Sequence, residues 1–215
     1  MVQVSRRTGF TGSALIRLLA QLTDTDVPES KQGFADRLGE WLRWTDAISL
    51  SAALNGGAAT APSGARASAR AEEAECTRVR AALAKAIAAD SALGADFSAY
   101  RRRYLARQQA IEAAIEPLRG RLRAKLAARS PAMARLAAVD AVMEQALGAH
   151  EQRLLSTVPG LLEKHFGRLR QADSGAQPEG WSNVFCKDMQ SVLLAELDIR
   201  LQPVEGLLEA LRKSE

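Results

Sequence analysis

The chain has 215 residues, of which 47% are hydrophobic, enough to build a core and to exclude global disorder. Only 5% are aromatic, and Ala and Leu supply most of the apolar bulk, so good helix formers dominate and strand formers are scarce. A nucleic-acid binder would have the net charge of +4 with Arg well ahead of Lys, but so would the product of a GC-rich genome, and the modest charge for this length favours the latter.

In chain order, residues 1–12 carry Arg6 and Arg7 among small polar residues and read as frayed. Gly12 and Ser13 cap a short helix with Leu15, Leu18, Leu19 and Leu22 at three-to-four spacing. Residues 23–29, with Pro28, lead to a second helix that has Ser30 as N-cap. Its apolar stripe is Phe34, Leu38, Trp41, Leu42, Ile48 and Ala52, with Trp44 on the flank. Residues 1–54 are therefore expected to form a helical hairpin. Residues 55–71, NGGAATAPSGARASARA, have almost no apolar bulk and read as a flexible linker. They mark the one credible boundary, with the main bundle at 72–215 and the hairpin free to pack on it as one domain.

Beyond the linker the pattern predicts a helix over 72–93 that ends near Gly94, then a long one over 97–129 capped by Asp96 and kinked at Pro117. Ser130-Pro131 restarts helix. An apolar run then follows through Leu136, Val139, Met143, Leu147, His150, Leu154, Val158, Leu161, His165 and Leu169, in steps of three, four and four. That eleven-residue period favours straight or slightly right-handed packing over a left-handed coiled coil. Pro159-Gly160 bends or divides this run, and residues 172–180 form a loop. The last segment starts at Ser182, with Trp181 and Cys186 as a hydrophobic staple. Its stripe, Phe185, Met189, Val192, Leu193, Leu197, Leu201, Val204, Leu208 and Leu211, makes it the expected centre of the core, with a kink or break at Pro203. Neither strand alternation nor a solenoid period is present. The predicted fold class is all-α: an antiparallel bundle of about six or seven helices, some long and kinked at Pro117, Pro159 and Pro203.

No familiar catalytic pattern survives inspection. His150-Glu151 begins like HExxH, but the second histidine would fall at Leu154. His165 lies fifteen residues on, roughly 22 Å along a straight helix. Both histidines fall on the apolar run, where hydrogen-bonded core positions are expected. Glu-x-x-His, Gly-rich phosphate loops and G-x-S-x-G are absent. Cys76 and Cys186 form neither a disulfide framework nor a CxxC pair, and Cys186 reads as a packing residue. Asp188, Glu196 and Asp198 read as a solvated helix face. No catalytic, metal or cofactor site is expected. No apolar run approaches the ~20 residues of a membrane span. Arg17 interrupts the apolar stretch at 14–22, which argues against a signal peptide, and the cytoplasm is the expected location.

One feature rises above background. Between Arg101 and Arg129 there are nine bases (Arg101, Arg102, Arg103, Arg107, Arg119, Arg121, Arg123, Lys125 and Arg129) against two acids, Glu112 and Glu116. Residues 173–215 hold four bases and eight acids. Either these segments neutralise each other in the bundle, or the basic run is a surface for an acidic protein or a nucleic acid. Tyr100 and Tyr104, beside the arginines, serve equally well as core anchors.

Two N-terminal blocks, TGFTGSALIRLLAQL and GFADRLGEWLRWTDAISLSAAL, and a C-terminal one, GWSNVFCKDMQSVLLAELDIRLQPVEGLLEALR, resemble an uncharacterised proteobacterial family, domain of unknown function 3348. The resemblance implies a bacterial cytoplasmic protein, with the accessory of an envelope complex as one setting, and carries over no site residue. The expectation is a non-enzymatic helical interaction or adaptor protein whose partner is another protein or a second copy of itself. The alternative is a nucleic-acid-binding accessory that uses the 101–129 face.

Overall fold

The structure, a computed structural model, describes residues 13–24, 32–55, 69–172 and 179–214. Among them are eight helices and no strand: α1 (Ala14–Thr23), α2 (Phe34–Trp41), α3 (Trp44–Asn55), α4 (Ala69–Ala88), α5 (Phe97–Ala127), α6 (Pro131–Leu155), α7 (Val158–Ala172) and α8 (Glu179–Lys213). Helix covers 89% of them, and an all-α helical bundle is the fold.

α8 is the hub. All nine residues of its predicted stripe, from Phe185 to Leu211, are buried. α1, α4, α5 and α7 pack around it, with α6 touching it more sparsely. Burying each such Leu or Phe is worth about 1.5–3 kcal/mol, so this one stripe supplies much of the driving force. α5 faces it with Tyr100, Tyr104, Gln108, Ile111, Ile115, Leu118, Leu122 and Leu126, in the steps of three and four that keep a helix stripe on one side. At one end the rings of Tyr100, Phe166, Trp181 and Phe185 meet edge to face or tilted, with centroids 4.9–5.6 Å apart.

Local capping explains several helix starts. Ser13 accepts from the Ile16 N–H, Asp96 from Ser98 and Ser130 from Met133, each at the expected N-cap. α5 and α8 run on through Pro117 and Pro203. At Pro159 the chain breaks instead: Ser156 and Thr157 separate α6 from α7, and Pro159 takes the second position of α7, where its missing N–H costs nothing.

Other expectations need correction. The helix drawn over 30–52 is two helices. Leu42 is extended, and the Asp46 carboxylate accepts from the Arg43 N–H at 3.0 Å, which starts α3 afresh. Ser30 lies outside the described residues; α2 starts after Gly33, whose N–H donates to Asp36. α1 and this pair do not form a hairpin on each other: α1 packs on α7 and α8, while α2 and α3 pack on α6. Most of the expected linker lies outside the described residues, but 69–71 belong to α4, with Ala69 buried. α4 ends at Ala88 rather than near Gly94, because the chain turns around buried Asp90. Ser182 is inside α8 rather than its cap, since Trp181 packing on Phe166 draws the helix back to Glu179. The eleven-residue run is not one buried stripe. Its phase resets at 156–157, and α6, held between α3 and α5, leaves Leu136 and Leu154 exposed and buries Ala137, Ala146 and Leu155.

Candidate functional site

The nine bases of α5 and its C-terminal turn do not form one face. Arg103 and Arg107 both bind Asp90, whose side chain is enclosed; Arg107 does so through two hydrogen bonds of 2.9 and 2.6 Å. Arg121 and Lys125 bind buried Glu72 on α4. Arg119 and Arg123 bind Asp140 and Glu144 on α6, with Arg119 gripping Asp140 bidentately at 2.8 and 2.7 Å. Burial pushes the Asp90 and Glu72 carboxyls up, but the arginine and lysine hydrogen bonds and charges outweigh it and hold both below the usual range. Acids for these six bases thus come from three different elements, whereas the sequence reading weighed only the C-terminal segment. Arg129 is half-buried. Arg101 and Arg102 are exposed at the start of α5, where Arg102 donates to the Ser98 hydroxyl and its charge acts on the Asp96 carboxylate.

Glu196 is a residue that the sequence reading misplaced on a solvated face. It is 0% exposed, at the centre of the bundle. Tyr104 donates to it at 2.6 Å, Gln108 at 3.0 Å and Arg200 at 3.0 Å. The available signal was position: Glu196 follows Val192 by four and Leu193 by three, on the buried stripe, with Arg200 one turn on. Arg200 in turn reaches Glu151 across a cleft of about 520 Å3 where α6 meets α8 only sparsely. Its floor is apolar (Ile115, Met143, Leu147, Ile199 and Pro203), and five carboxylates line it with Arg119 and Arg200. Most of that charge is already spent on internal pairs, which leaves a braced helix junction rather than a poised acid and base.

The histidines are structural in the same sense. Buried His165 is 2.7 Å from Asp188, and His150 stacks on Trp41 at 5.4 Å between ring centroids. Both thiols are buried, and burial pushes their pKa values up, which keeps them protonated and unreactive. No cluster of three or more metal-ligating side chains occurs among the described residues. No helix among them is long and apolar enough to cross a membrane.

Among the described residues, the outer face of α3 is an apolar surface without an internal role. Asp46, Leu50 and Ala53 turn toward the bundle, and α6 is the element beneath them. The opposite side presents Trp44 at 81% exposure and Ile48 at 54%, with Leu54 at 55% on the flank and Ala47, Ser51 and Ala52 between. From Ala47 to Asn55 the helix has no charged residue. A side chain as costly to hydrate as Trp is seldom left so open on a surface without a use.

Residues 1–213 match the family described as Protein of unknown function (DUF3348), and the chain belongs to that family. No curated protein and no solved structure matches it.

Proposed function

We propose that this member of the family is a non-enzymatic helical interaction protein that docks a protein partner through the outer face of α3, in the bacterial cytoplasm. The carrying observation is the exposed, uncharged face of Trp44, Ile48 and Ala52 on a helix whose other side is seated on α6. Exposed aromatic and aliphatic anchors amid small residues are what interface cores are made of. The adaptor reading also draws on where the titratable groups are spent. Asp90, Glu72, Glu196 and His165 each hold two elements together rather than face an open site. Nucleic-acid binding through residues 101–129 is the weaker reading, since six of those nine bases already hold carboxylates. The test is a photo-crosslinking residue at Ile48, with exposed Arg78 as the control position, in native lysate. One discrete adduct is expected, lost on adding unlabelled protein and lost in Trp44→Ala. Equal labelling from both positions would overturn the reading.

A further inference from the structure

We infer that the cleft between α6 and α8 is a second docking site, for an extended segment of a partner protein with Lys or Arg at alternate positions. None of its lining residues belongs to α3, so the inference stands apart from the docking reading above. Both helices pack closely on α5 but touch each other little, and the space left between them is about 520 Å3. In its floor Met143, Leu147, Ile199 and Pro203 are only half-buried. Gly148 keeps the wall open, since a Cβ there would meet nothing within 4 Å.

Charge selects the occupant. Arg119 and Arg123 balance Asp140 and Glu144 at one end of the cleft. Toward the other end Glu112, Glu116, Glu151 and buried Glu196 are met by one base, Arg200, among the described residues. That leaves an excess of three negative charges in a chain whose net charge is +4. Glu112 accepts from the neutral Gln152 amide, and exposed Glu116 has no partner among the described residues. Pro203 adds a further acceptor: it has no N–H, so the Ile199 carbonyl on the same wall loses its intrahelical donor. Surplus acceptors over an apolar floor call for donors on apolar stems, which is what Lys and Arg side chains are. The acids are strung along the helices rather than gathered about a point that could hold a metal ion. From Asp140 to Glu151 is roughly 16 Å of helix, the reach of about five residues of extended chain. Glu112 and Glu116 stand one turn apart, about 5–6 Å between Cβ atoms, near the ~6.6 Å between alternate residues on one side of such a chain. A helix of ~10–12 Å diameter is too wide for this space.

The experiment uses the purified full chain and a fluorescently labelled peptide of alternating Lys and Ala, followed by anisotropy. Binding is expected at low salt and should weaken as salt rises. Glu112→Gln together with Glu116→Gln should weaken it about tenfold at an unchanged melting temperature, since neither acid has an ion-pair partner among the described residues. Gly148→Met fills the cleft, alters no charge and sets a good helix former inside α6, so it should abolish binding without loss of stability. Glu163→Gln, which neutralises an exposed acid on α7, should bind as wild type does. Trp44→Ala should also bind normally, which keeps a failure of this site separate from a failure of the α3 reading. Absence of binding at low salt would overturn the inference. So would equal binding of a peptide with the same lysines in one run, or binding that survives Gly148→Met, since either means unspecific attraction. Displacement by an equal concentration of spermidine would make the occupant a small polyamine rather than a protein segment, and overturn it as well.

Discussion

Tyr104→Phe removes one oxygen from the centre of the bundle and almost no volume. That oxygen lies 2.6 Å from Glu196 Oε2, whose other donor is Gln108 at 3.0 Å. Oε1 keeps both Gln108 and Arg200. Both tyrosine and glutamate are essentially inaccessible, at 1% and 0% exposure, so water cannot replace the lost donor. A hydrogen bond to a charged group contributes about 1.5–3 kcal/mol, which for a chain of this size is a fall of roughly 3–12 °C in melting temperature. Tyr100→Phe is the control. Its hydroxyl accepts from the Leu93 N–H at 2.8 Å, a neutral bond to a half-buried group, worth about 0.5–1.5 kcal/mol. Urea unfolding followed by circular dichroism, with the m-value checked for constancy, measures both. A Tyr104→Phe cost below about 0.5 kcal/mol, or below that of Tyr100→Phe, would refute the idea that the Glu196 network is tightly closed. Burial, then the neighbouring Glu196, pushes the Tyr104 phenol far above its ordinary value. The stability it contributes is therefore full below about pH 10 and lost as pH rises beyond that.

Asp90 and Glu72 have folded pKa values below their unfolded ones, so their contributions are full above about pH 4 and fade as pH falls through the folded values. Asp90→Asn should cost about 1.5–3 kcal/mol at pH 7 and flatten the acid limb of a melting-temperature profile; an unchanged limb would contradict the assignment. Arg103→Glu sets a carboxylate beside enclosed Asp90 and should destabilise by about 1–3 kcal/mol, whereas Arg101→Glu and Arg102→Glu should stay within about 0.5 kcal/mol of wild type in the same urea assay.

α8 was legible because every residue of its apolar stripe from Phe185 to Leu211 is buried, although the helices packed around it also bury Trp181, Cys186, Ala195, Glu196 and Leu207 outside that stripe. α6 was not, because α3 and α5 hold it from two sides and its apolar residues divide between them. The break at Leu42 depends on one local carboxylate, Asp46, folding back on Arg43. Helical periodicity, which the run through Trp41 and Ile48 obeys, cannot register such a cap. Charge counting along α5 was right in number and blind to direction. Residues two apart on a helix point about 200° apart and residues four apart nearly the same way, so Arg121 leaves toward Glu72 on α4 while Arg119 and Arg123 together face Asp140 and Glu144 on α6. Glu196 was hidden by residue type, and its partners Tyr104 and Gln108 lie about ninety residues away in the chain.

That α8 organises the bundle has a consequence for biosynthesis. α1 packs on α7 and α8, so the first described helix must wait for more than 130 residues of further chain before its partners exist. At about 5–20 residues per second, the delay is roughly seven to thirty seconds. Throughout it, the apolar stripes of α1, α4 and α5 have nothing complete to close on. A nascent chain stalled before residue 179 would be an assembly of exposed stripes, a preferred client for chaperones and proteases rather than a partly working protein. Closure of the fold and completion of α8 are one event, and a nonsense mutation anywhere upstream of it should behave as a null in the cell.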